Sequence, residues 1–166
     1  RKTLEVLEKK ELEIDNLYLV ASSRSAGIKI KFRGKEYEVE ELDSFDFSKA
    51  KIIFFAAGGK ISEKFAEKAS KNSLVIDNSS FFRMDPDVPL IVPQVNSEDL
   101  DSIKKNIIAN PNCSTAQLVI ALKPLHDLFV IKRVVVSTYQ SVSGGGKAPM
   151  DELIEQTKFV LDGKKI

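Results

Sequence analysis

A lone cysteine with polar neighbours is the residue of this sequence best suited to chemistry. Cys113 is the only cysteine among 166 residues, and it lies in the stretch "NPNCSTAQ", directly before an apolar run with helical spacing. We interpret Ser114 as the helix N-cap, because Gln117 follows it at the spacing of a capping box. Unpaired N–H groups and the positive end of the helix dipole would then stabilise a thiolate at Cys113. The neighbouring Asn112 adds an amide donor for an oxyanion.

Spacing alone leaves two interpretations of Cys113 open. A thiolate at a helix N-terminus is a nucleophile that can carry a covalent acyl group. Most lone cysteines, however, are small, buried, apolar residues that only pack, and the spacing here favours neither interpretation. Because there is a single cysteine, an intramolecular disulfide and a multi-cysteine zinc site are both excluded, and we expect no metal site.

The composition is that of a globular protein without a strong charge preference. Hydrophobic residues make up 43% and charged residues 30%, which argues against disorder. The 25 Lys and Arg nearly balance the 24 Asp and Glu, and a net charge of +1 gives no global attraction to nucleic acid or anionic membranes. No apolar run approaches the ~18 residues of a membrane-spanning helix, and no signal-peptide pattern opens the chain. We therefore expect a cytoplasmic protein that binds neither nucleic acid nor membranes.

The elements that must position Cys113 alternate between strands and helices. Three apolar runs read as buried strands: residues 16–22, 51–57 and 73–77. A helical pattern at residues 60–72 lies between the last two, and this order is typical of a parallel α/β sheet. Residues 28–42 predict two alternating strands joined by a hairpin at Arg33 and Gly34.

The remaining segments carry weaker signals. Residues 1–14 place Leu4, Leu7, Leu12 and Ile14 near one face and predict an amphipathic helix. The other predicted elements are a short helix at 97–106 capped by Ser97, a strand at 107–110, a helix from Ser114 toward Pro124, a β-rich run at 131–143 and a helix at 148–163.

Three long motifs resemble one family of enzymes. "NPNCST", preceded by "DNSSFFRMDPDVPLIVPQVN" and followed by "KRVVVSTYQSVSGGGKAPMDEL", closely resembles the aspartate-semialdehyde dehydrogenases, and the resemblance runs across nearly the whole chain. It implies an α/β fold with a partial NADP-binding, Rossmann-like parallel sheet domain in residues 1–112. Residues 113–166 would begin an α+β catalytic and dimerisation domain.

The resemblance also implies a reaction. Members of this family reduce L-aspartyl-4-phosphate to L-aspartate-4-semialdehyde and phosphate with NADP as cofactor, on the way to lysine, methionine and threonine. Cys113 would carry the acyl group as a thioester, in a homodimer or homotetramer. The related N-acetyl-glutamyl-phosphate reductases are the alternative, but they carry glycine before the cysteine and usually an aromatic residue or proline after it. Asn112 and Ser114 occupy those positions here.

Further site residues follow from the resemblance. The implied cofactor-binding residues are Arg24, Ser25, Ala57, Gly58, Gly59, Ser143 and Gly144. Arg24, in a loop without a carboxylate, suits the 2′-phosphate of NADP. Arg83 would bind the substrate phosphate and Gln140 the substrate. Without the resemblance, Arg24 reads as a solvated loop residue, the two glycines as an ordinary turn, and Arg83 as the ion-pair partner of Asp85 or Asp87.

Several parts of the family pattern have no counterpart in these residues. They are the Gly-rich loop before the first helix, the acid/base histidine and the arginine that binds the substrate carboxylate. The only histidine, His126, would lie ~20 Å from Cys113 along one helix, and we interpret it as structural. We therefore expect the chain to be a fragment that is inactive alone, with a non-catalytic nucleotide-binding α/β module as the alternative.

Overall fold

The chain folds as two compact units, one reaching Pro124 and the other beginning at Leu125. The computed structural model describes residues 2–165. The strands are β1 (Leu19–Ala21), β2 (Lys29–Phe32), β3 (Lys35–Glu41), β4 (Ile52–Phe55), β5 (Leu74–Asp77) and β6 (Ile107–Ala109). The α-helices are α1 (Lys2–Glu8), α2 (Gly59–Ala69), α3 (Pro93–Asn96), α4 (Cys113–Phe129) and α5 (Lys147–Leu161).

A parallel sheet in the first unit confirms the predicted α/β architecture. It has the order β4-β5-β6, and all three strands run in the same direction. In its register Phe55 and Ala109 flank Asp77, so the three strands end together. Helix α2 forms the crossover between β4 and β5. Carboxyl ends that meet at one edge are where open α/β sheets bind ligands.

A second sheet contains the predicted hairpin. Its order is β1-β3-β2, with β1 parallel and β2 antiparallel to β3. Phe32 pairs with Lys35, which leaves Arg33 and Gly34 as a two-residue turn. Both turn residues have positive φ, +48° and +78°, the backbone that a type I′ hairpin turn requires. The hairpin prediction is confirmed at its predicted position.

Arg33 explains why the first helix is shorter than predicted. Its guanidinium donates hydrogen bonds to the carbonyls of Leu7, Lys10 and Leu12 at 3.1, 2.6 and 2.8 Å. These carbonyls belong to the last helical turn and the segment after it, so the chain leaves the helix to meet the hairpin. The prediction of a helix over residues 1–14 is therefore wrong beyond Glu8, and Arg1 itself lies outside the described residues.

Four phenylalanines, which we call the aromatic core, anchor the parallel sheet: Phe45, Phe47, Phe55 and Phe65. The ring of Phe47 lies 5.5 Å from that of Phe45, 6.3 Å from Phe55 and 6.2 Å from Phe65, centroid to centroid. It thereby joins the segment before β4 to β4 and to α2. Distances in this range add to the favourable burial of each ring.

Two sequence predictions differ from the structure in the later part of the chain. Residues 131–143 contain no strand among the described residues, and Tyr139 is 100% exposed. A β-rich sequence forms a strand only when its backbone pairs with a neighbouring strand, and no such neighbour exists in the described chain. The segment predicted as a helix at 97–106 contains only a 3₁₀-helix at Ser97–Ser102, which directly follows α3 and whose N-cap is Asn96 instead of Ser97.

The two longest helices lie at their predicted positions, but α4 extends further than predicted. Helix α5 ends near Gly163, which has a φ of +69° and suits a helix C-terminus. Helix α4 was expected to run toward Pro124, but it continues through that residue to Phe129. Proline at this position removes one backbone hydrogen bond and does not end the helix here. Within residues 2–165, no helix combines the length and apolarity needed to cross a bilayer.

Candidate active site

The helix that begins at the cysteine is capped by a different residue from the one predicted. The side-chain Oδ1 of Asn112 accepts hydrogen bonds from Ser114 N at 2.9 Å and from Ser114 Oγ at 2.8 Å. The Asn112 carbonyl also accepts the bond from Ala116 N. Asn112 is therefore the N-cap, Cys113 is the first helical residue, and the assignment of Ser114 as the cap is wrong. Asparagine and serine are equally good caps, so composition alone could not decide.

The position of Cys113 is suited to an anionic reaction centre. The residue is exposed, so it does not pack in the core of this chain. Its helix is 17 residues long, and the first-turn N–H groups of a helix lack intrahelical acceptors. Because Asn112 uses its oxygen for capping, its amide nitrogen keeps both protons, and that nitrogen has no partner among the described residues. Cys113 Sγ lies 3.9 Å from the capping oxygen, Oδ1 of Asn112, and the unpaired amide nitrogen belongs to the same side chain.

Arg83 is fixed against the segment that leads into Asn112 and Cys113. Its Nε donates to the carbonyl of Asn110 at 2.8 Å, and its Nη2 lies 3.4 Å from the carbonyl of Asn78. The side chain of Asn110 also donates to Asn78 Oδ1 at 2.7 Å. The structure therefore brings Arg83 together with the two loops that follow β5 and β6, and Nη1 of Arg83 has no partner in the described chain.

The alternative assignment of Arg83 to an ion pair is wrong. Asp85 binds Lys105 at 2.9 Å, and Asp87 binds Lys104 at 2.8 Å. The hydrogen bond from Lys105 lowers the pKa of Asp85 below its ordinary value of 3.8, and the N–H of Asp87 lowers it further. The same bond raises the pKa of Lys105 above 10.5. Both carboxylates are already paired, so the positive charge of Arg83 is available to an anionic ligand.

We expect the Asp85–Lys105 pair to stabilise the chain only at pH values between the lowered pKa of Asp85 and the raised pKa of Lys105. The Asp85 contribution is present above pH 3.8 and is lost as the pH falls through the lowered pKa. The Lys105 contribution is present below pH 10.5 and is lost as the pH rises through the raised pKa. Urea unfolding of Lys105→Gln should therefore show a constant loss from about pH 5 to 9 that shrinks toward both extremes. A loss that persists unchanged at pH 2 would contradict this assignment, and Lys104→Gln, from a more exposed pair, is the matched control.

Asp77, at the end of β5, was missed by the sequence analysis. The residue is 0% exposed. Its Oδ1 accepts from Ser62 Oγ at 2.6 Å and from Ser79 N at 3.2 Å, and its Oδ2 accepts from Ser79 Oγ at 2.6 Å. The sequence signal was available, since a carboxylate that ends an apolar strand and precedes two serines, in "VIDNSS", is unusual for a packing position.

The proposed cofactor residues follow the carboxyl ends of two strands. Ala57, Gly58 and Gly59 come after β4, and Gly58, with a φ of +94°, is the N-cap of α2. This backbone is strained for any residue with a Cβ, so Gly58 is required by the turn itself. Arg24 and Ser25 form a 3₁₀ turn after β1. The guanidinium of Arg24 is exposed and makes no hydrogen bond or ion pair in the part of the chain described.

Gln140, Ser143 and Gly144 lie together in the second unit. Ser143 and Gly144 belong to a 3₁₀-helix at Val142–Gly145, and a Cβ built on Gly144 would overlap the side chain of Gln140. A residue with a Cβ at this position would require the exposed side chain of Gln140 to move. His126 lies on the exposed last turn of α4.

Comparison with known proteins defines the class. Residues 1–103 match the family described as the NAD binding domain of semialdehyde dehydrogenase, and residues 122–166 match its dimerisation domain. The chain belongs to the semialdehyde dehydrogenase family. Within it, the chain is 53% identical to the aspartate-semialdehyde dehydrogenase of Aquifex aeolicus (strain VF5), over 100% of this chain and 50% of that protein. The chain spans about half the length of the curated relatives it matches.

Solved structures agree with this assignment. Aspartate semialdehyde dehydrogenase II from Vibrio cholerae, in a structure described as complexed with ASA, matches with a TM-score of 0.93 at 48% identity over 98% of this chain and 49% of that one. The enzyme from Candida albicans, described as with NADP, matches with a TM-score of 0.62 at 31% identity, over 78% and 44% of the two chains. The predicted family and the Rossmann-like fold are confirmed.

Proposed function

We propose that the full-length protein containing this chain reduces L-aspartyl-4-phosphate to L-aspartate-4-semialdehyde and phosphate, with NADP as its cofactor, in amino-acid biosynthesis. The observation that carries the proposal is the exposed thiol of Cys113 on the first turn of α4, beside an asparagine amide. Nothing in the described chain pairs with that amide nitrogen. Arg83 is hydrogen-bonded to Asn110, which precedes Cys113 by three residues. The family of the chain supports this reaction class.

The chain's own residues perform the acyl transfer in this proposal. The thiolate of Cys113 attacks the acyl carbon, and the bond to phosphate breaks as the carbon–sulfur bond forms, giving a thioester and free phosphate. The Asn112 amide and the first-turn N–H groups of α4 stabilise the negative charge that develops on the carbonyl oxygen. Arg83 holds the phosphate before and after cleavage. The turns at Arg24 and at Gly58 would hold NADPH, which would supply the hydride that reduces the thioester.

The residues of the first unit fit a phosphorylated dinucleotide. The Gly58 turn at the start of the 11-residue helix α2 presents backbone N–H groups to a pyrophosphate. The turn formed by Arg24 and Ser25 offers a cation and a hydroxyl, and its own sequence, "SSRSAG", contains no acidic residue, which favours the 2′-phosphate of NADP over the free ribose of NAD. We place the cofactor domain in residues 1–112 and the start of the catalytic and dimerisation domain in 113–166.

We expect Arg24→Ala in the full-length protein to change cofactor preference. A charge-assisted hydrogen bond is worth about 1.5 to 3 kcal/mol, so NADP affinity should fall roughly 10- to 150-fold while NAD affinity stays within about 2-fold. A binding titration with both cofactors measures this. Arg133→Ala, which removes an exposed arginine outside this turn, is the matched control. Equal losses for NADP and NAD would remove Arg24 from the 2′-phosphate site.

Assembly through the second unit completes the proposal. Residues 122–166 match a dimerisation domain, and several apolar residues of α5 are at least half exposed: Leu153, Ile154, Val160 and Leu161. Apolar surface of this kind is typical of a protein interface. We therefore propose a cytoplasmic homodimer or homotetramer.

The test compares two proteins. The full-length protein should form NADPH from L-aspartate-4-semialdehyde, NADP and phosphate, read as absorbance. The 166-residue chain should show no appreciable rate, because it contains no histidine other than His126 to act as acid or base. A full-length protein without this activity that still binds NADP would instead support the nucleotide-binding module.

A further inference from the structure

Asp77 is a buried carboxylate that takes no part in the reaction above. Burying a charged group is costly unless its hydrogen bonds are satisfied, and an apolar side chain could fill the same volume without needing partners. All three donors to Asp77 come from two residues, Ser62 and Ser79, which lie on different elements. The arrangement is therefore a connection between elements rather than simple packing.

The first arm of this connection reaches the proposed cofactor turn. Ser62 lies in the first turn of α2 and is 0% exposed. Its N–H donates to the carbonyl of Gly58 at 3.2 Å, and its Oγ lies 3.5 Å from the same carbonyl while donating to Asp77. A shift of Asp77 would therefore move the turn that presents its backbone N–H groups to the dinucleotide.

The second arm reaches the loop that carries Arg83. Ser79 is 7% exposed and follows β5 by two residues. Its hydroxyl donates to Asp77 and accepts a bond from Phe81 N at 3.1 Å, so it fixes the start of the segment that ends at Arg83. One carboxylate thus holds two loops that lead to two different proposed ligands.

We propose that Asp77 is a positioning residue that ties the Gly58 turn to the Arg83 loop and so sets the spacing between bound cofactor and bound phosphate. This inference rests on the proposed function. Each arm ends at the site of one ligand, so a change in that arm should alter the KM for that ligand alone. The Ser62 arm acts on NADP, and the Ser79 arm acts on phosphate.

The amide variant separates the two arms by hydrogen-bond chemistry. In Asp77→Asn the amide oxygen must stay at the Oδ1 position, because an NH₂ group there would face the N–H of Ser79. The bond to Ser62 therefore survives, whereas the NH₂ group now meets the Ser79 hydroxyl, which must accept instead of donate. Because the Ser79 oxygen already accepts from Phe81 N and must now accept this bond as well, we expect Asp77→Asn to disturb the Ser79 arm in the same direction as Ser79→Ala but by a smaller amount, and to leave the Ser62 arm unchanged.

The experiment is steady-state kinetics of the full-length protein with semialdehyde, NADP and phosphate. Loss of one hydrogen bond predicts that Ser62→Ala raises the KM for NADP roughly 3- to 10-fold and leaves that for phosphate within about 2-fold. Ser79→Ala should show the reverse pattern, Asp77→Asn should show it more weakly, and Asp77→Ala should raise both constants. Ser73→Ala is the matched control, because Ser73 is equally buried and its hydroxyl binds only the carbonyls of Phe47 and Ala50.

The outcomes distinguish positioning from a merely structural role. If Asp77→Ala does not fold, the two serine variants decide. Serine variants that lower the melting temperature as Ser73→Ala does, with both KM values unchanged, overturn the proposal. An inactive wild-type protein refutes the proposed function instead. Amide hydrogen exchange then tests whether Asp77 connects the Gly58 turn to the Arg83 loop. Ser62→Ala should speed exchange only at residues 58–62 and Ser79→Ala only at 79–83. If exchange at both segments is unchanged in these two variants, the connection through Asp77 is refuted.

Discussion

Replacing Cys113 by serine in the full-length protein is expected to reduce kcat by a factor on the order of 10³ or more. Serine keeps nearly the same shape, but its hydroxyl is almost never ionised near neutral pH and cannot act as the thiolate does. Because the side chain is exposed and outside the core, folding and NADP affinity should stay unchanged. Rate, cofactor titration and melting temperature measured on the same protein separate these effects.

A neighbouring variant controls for disturbance of the helix start. Thr115→Ser, two residues further along the same exposed turn, should retain turnover. Near-wild-type turnover of Cys113→Ser would reject the nucleophile. Lost turnover together with a lowered melting temperature in both variants would point to damage of α4 rather than to lost chemistry.

The second large effect is expected in the core of the chain itself. Phe47→Ala should lower the free energy of unfolding by about 3 to 5 kcal/mol, the usual cost of deleting a buried phenylalanine ring. Phe47 is 5% exposed and touches the three other rings of the aromatic core. Urea unfolding of the 166-residue chain, followed by circular dichroism, measures the change.

Phe54→Ala provides the comparison for this effect. Phe54 is also a phenylalanine of the first unit but is 52% exposed, so its loss in this chain should cost about 1 kcal/mol or less. Similar losses for the two variants would contradict the placement of Phe47 at the centre of the core.

The sequence predicted elements whose apolar residues follow a regular period. The hairpin at Arg33 and Gly34 separates two alternating runs, whose period of two identifies strands, whereas β4 and β5 are short continuous apolar runs that their length and flanking turn residues identify. The aromatic core was not predicted, because Phe45 and Phe47 lie in an irregular segment without a period. Their burial depends on where that segment meets α2, which is a tertiary contact.

In the candidate site too, the sequence predicted local features and missed those that depend on tertiary contacts. The sequence located Cys113 at a helix start, but it assigned the cap to Ser114 instead of Asn112, because only the folded geometry shows which side chain reaches the backbone N–H. It also gave no role to Asp77, whose partners Ser62 and Ser79 come together only when α2 packs on the sheet. Residues 131–143 have strand propensity, but propensity supplies no pairing partner.

In the proposed reaction Cys113 carries the acyl group of the substrate. The most direct measurement is intact and peptide mass spectrometry of the full-length protein after rapid mixing with L-aspartate-4-semialdehyde and NADP in the absence of phosphate, followed by an acid quench. Without phosphate to accept the acyl group, we expect a mass increase of one aspartyl group on the peptide containing Cys113, formed together with one equivalent of NADPH and removed by added phosphate. NADPH formation with an unmodified Cys113 peptide, or an acyl group on another residue, would exclude Cys113 as the acyl carrier.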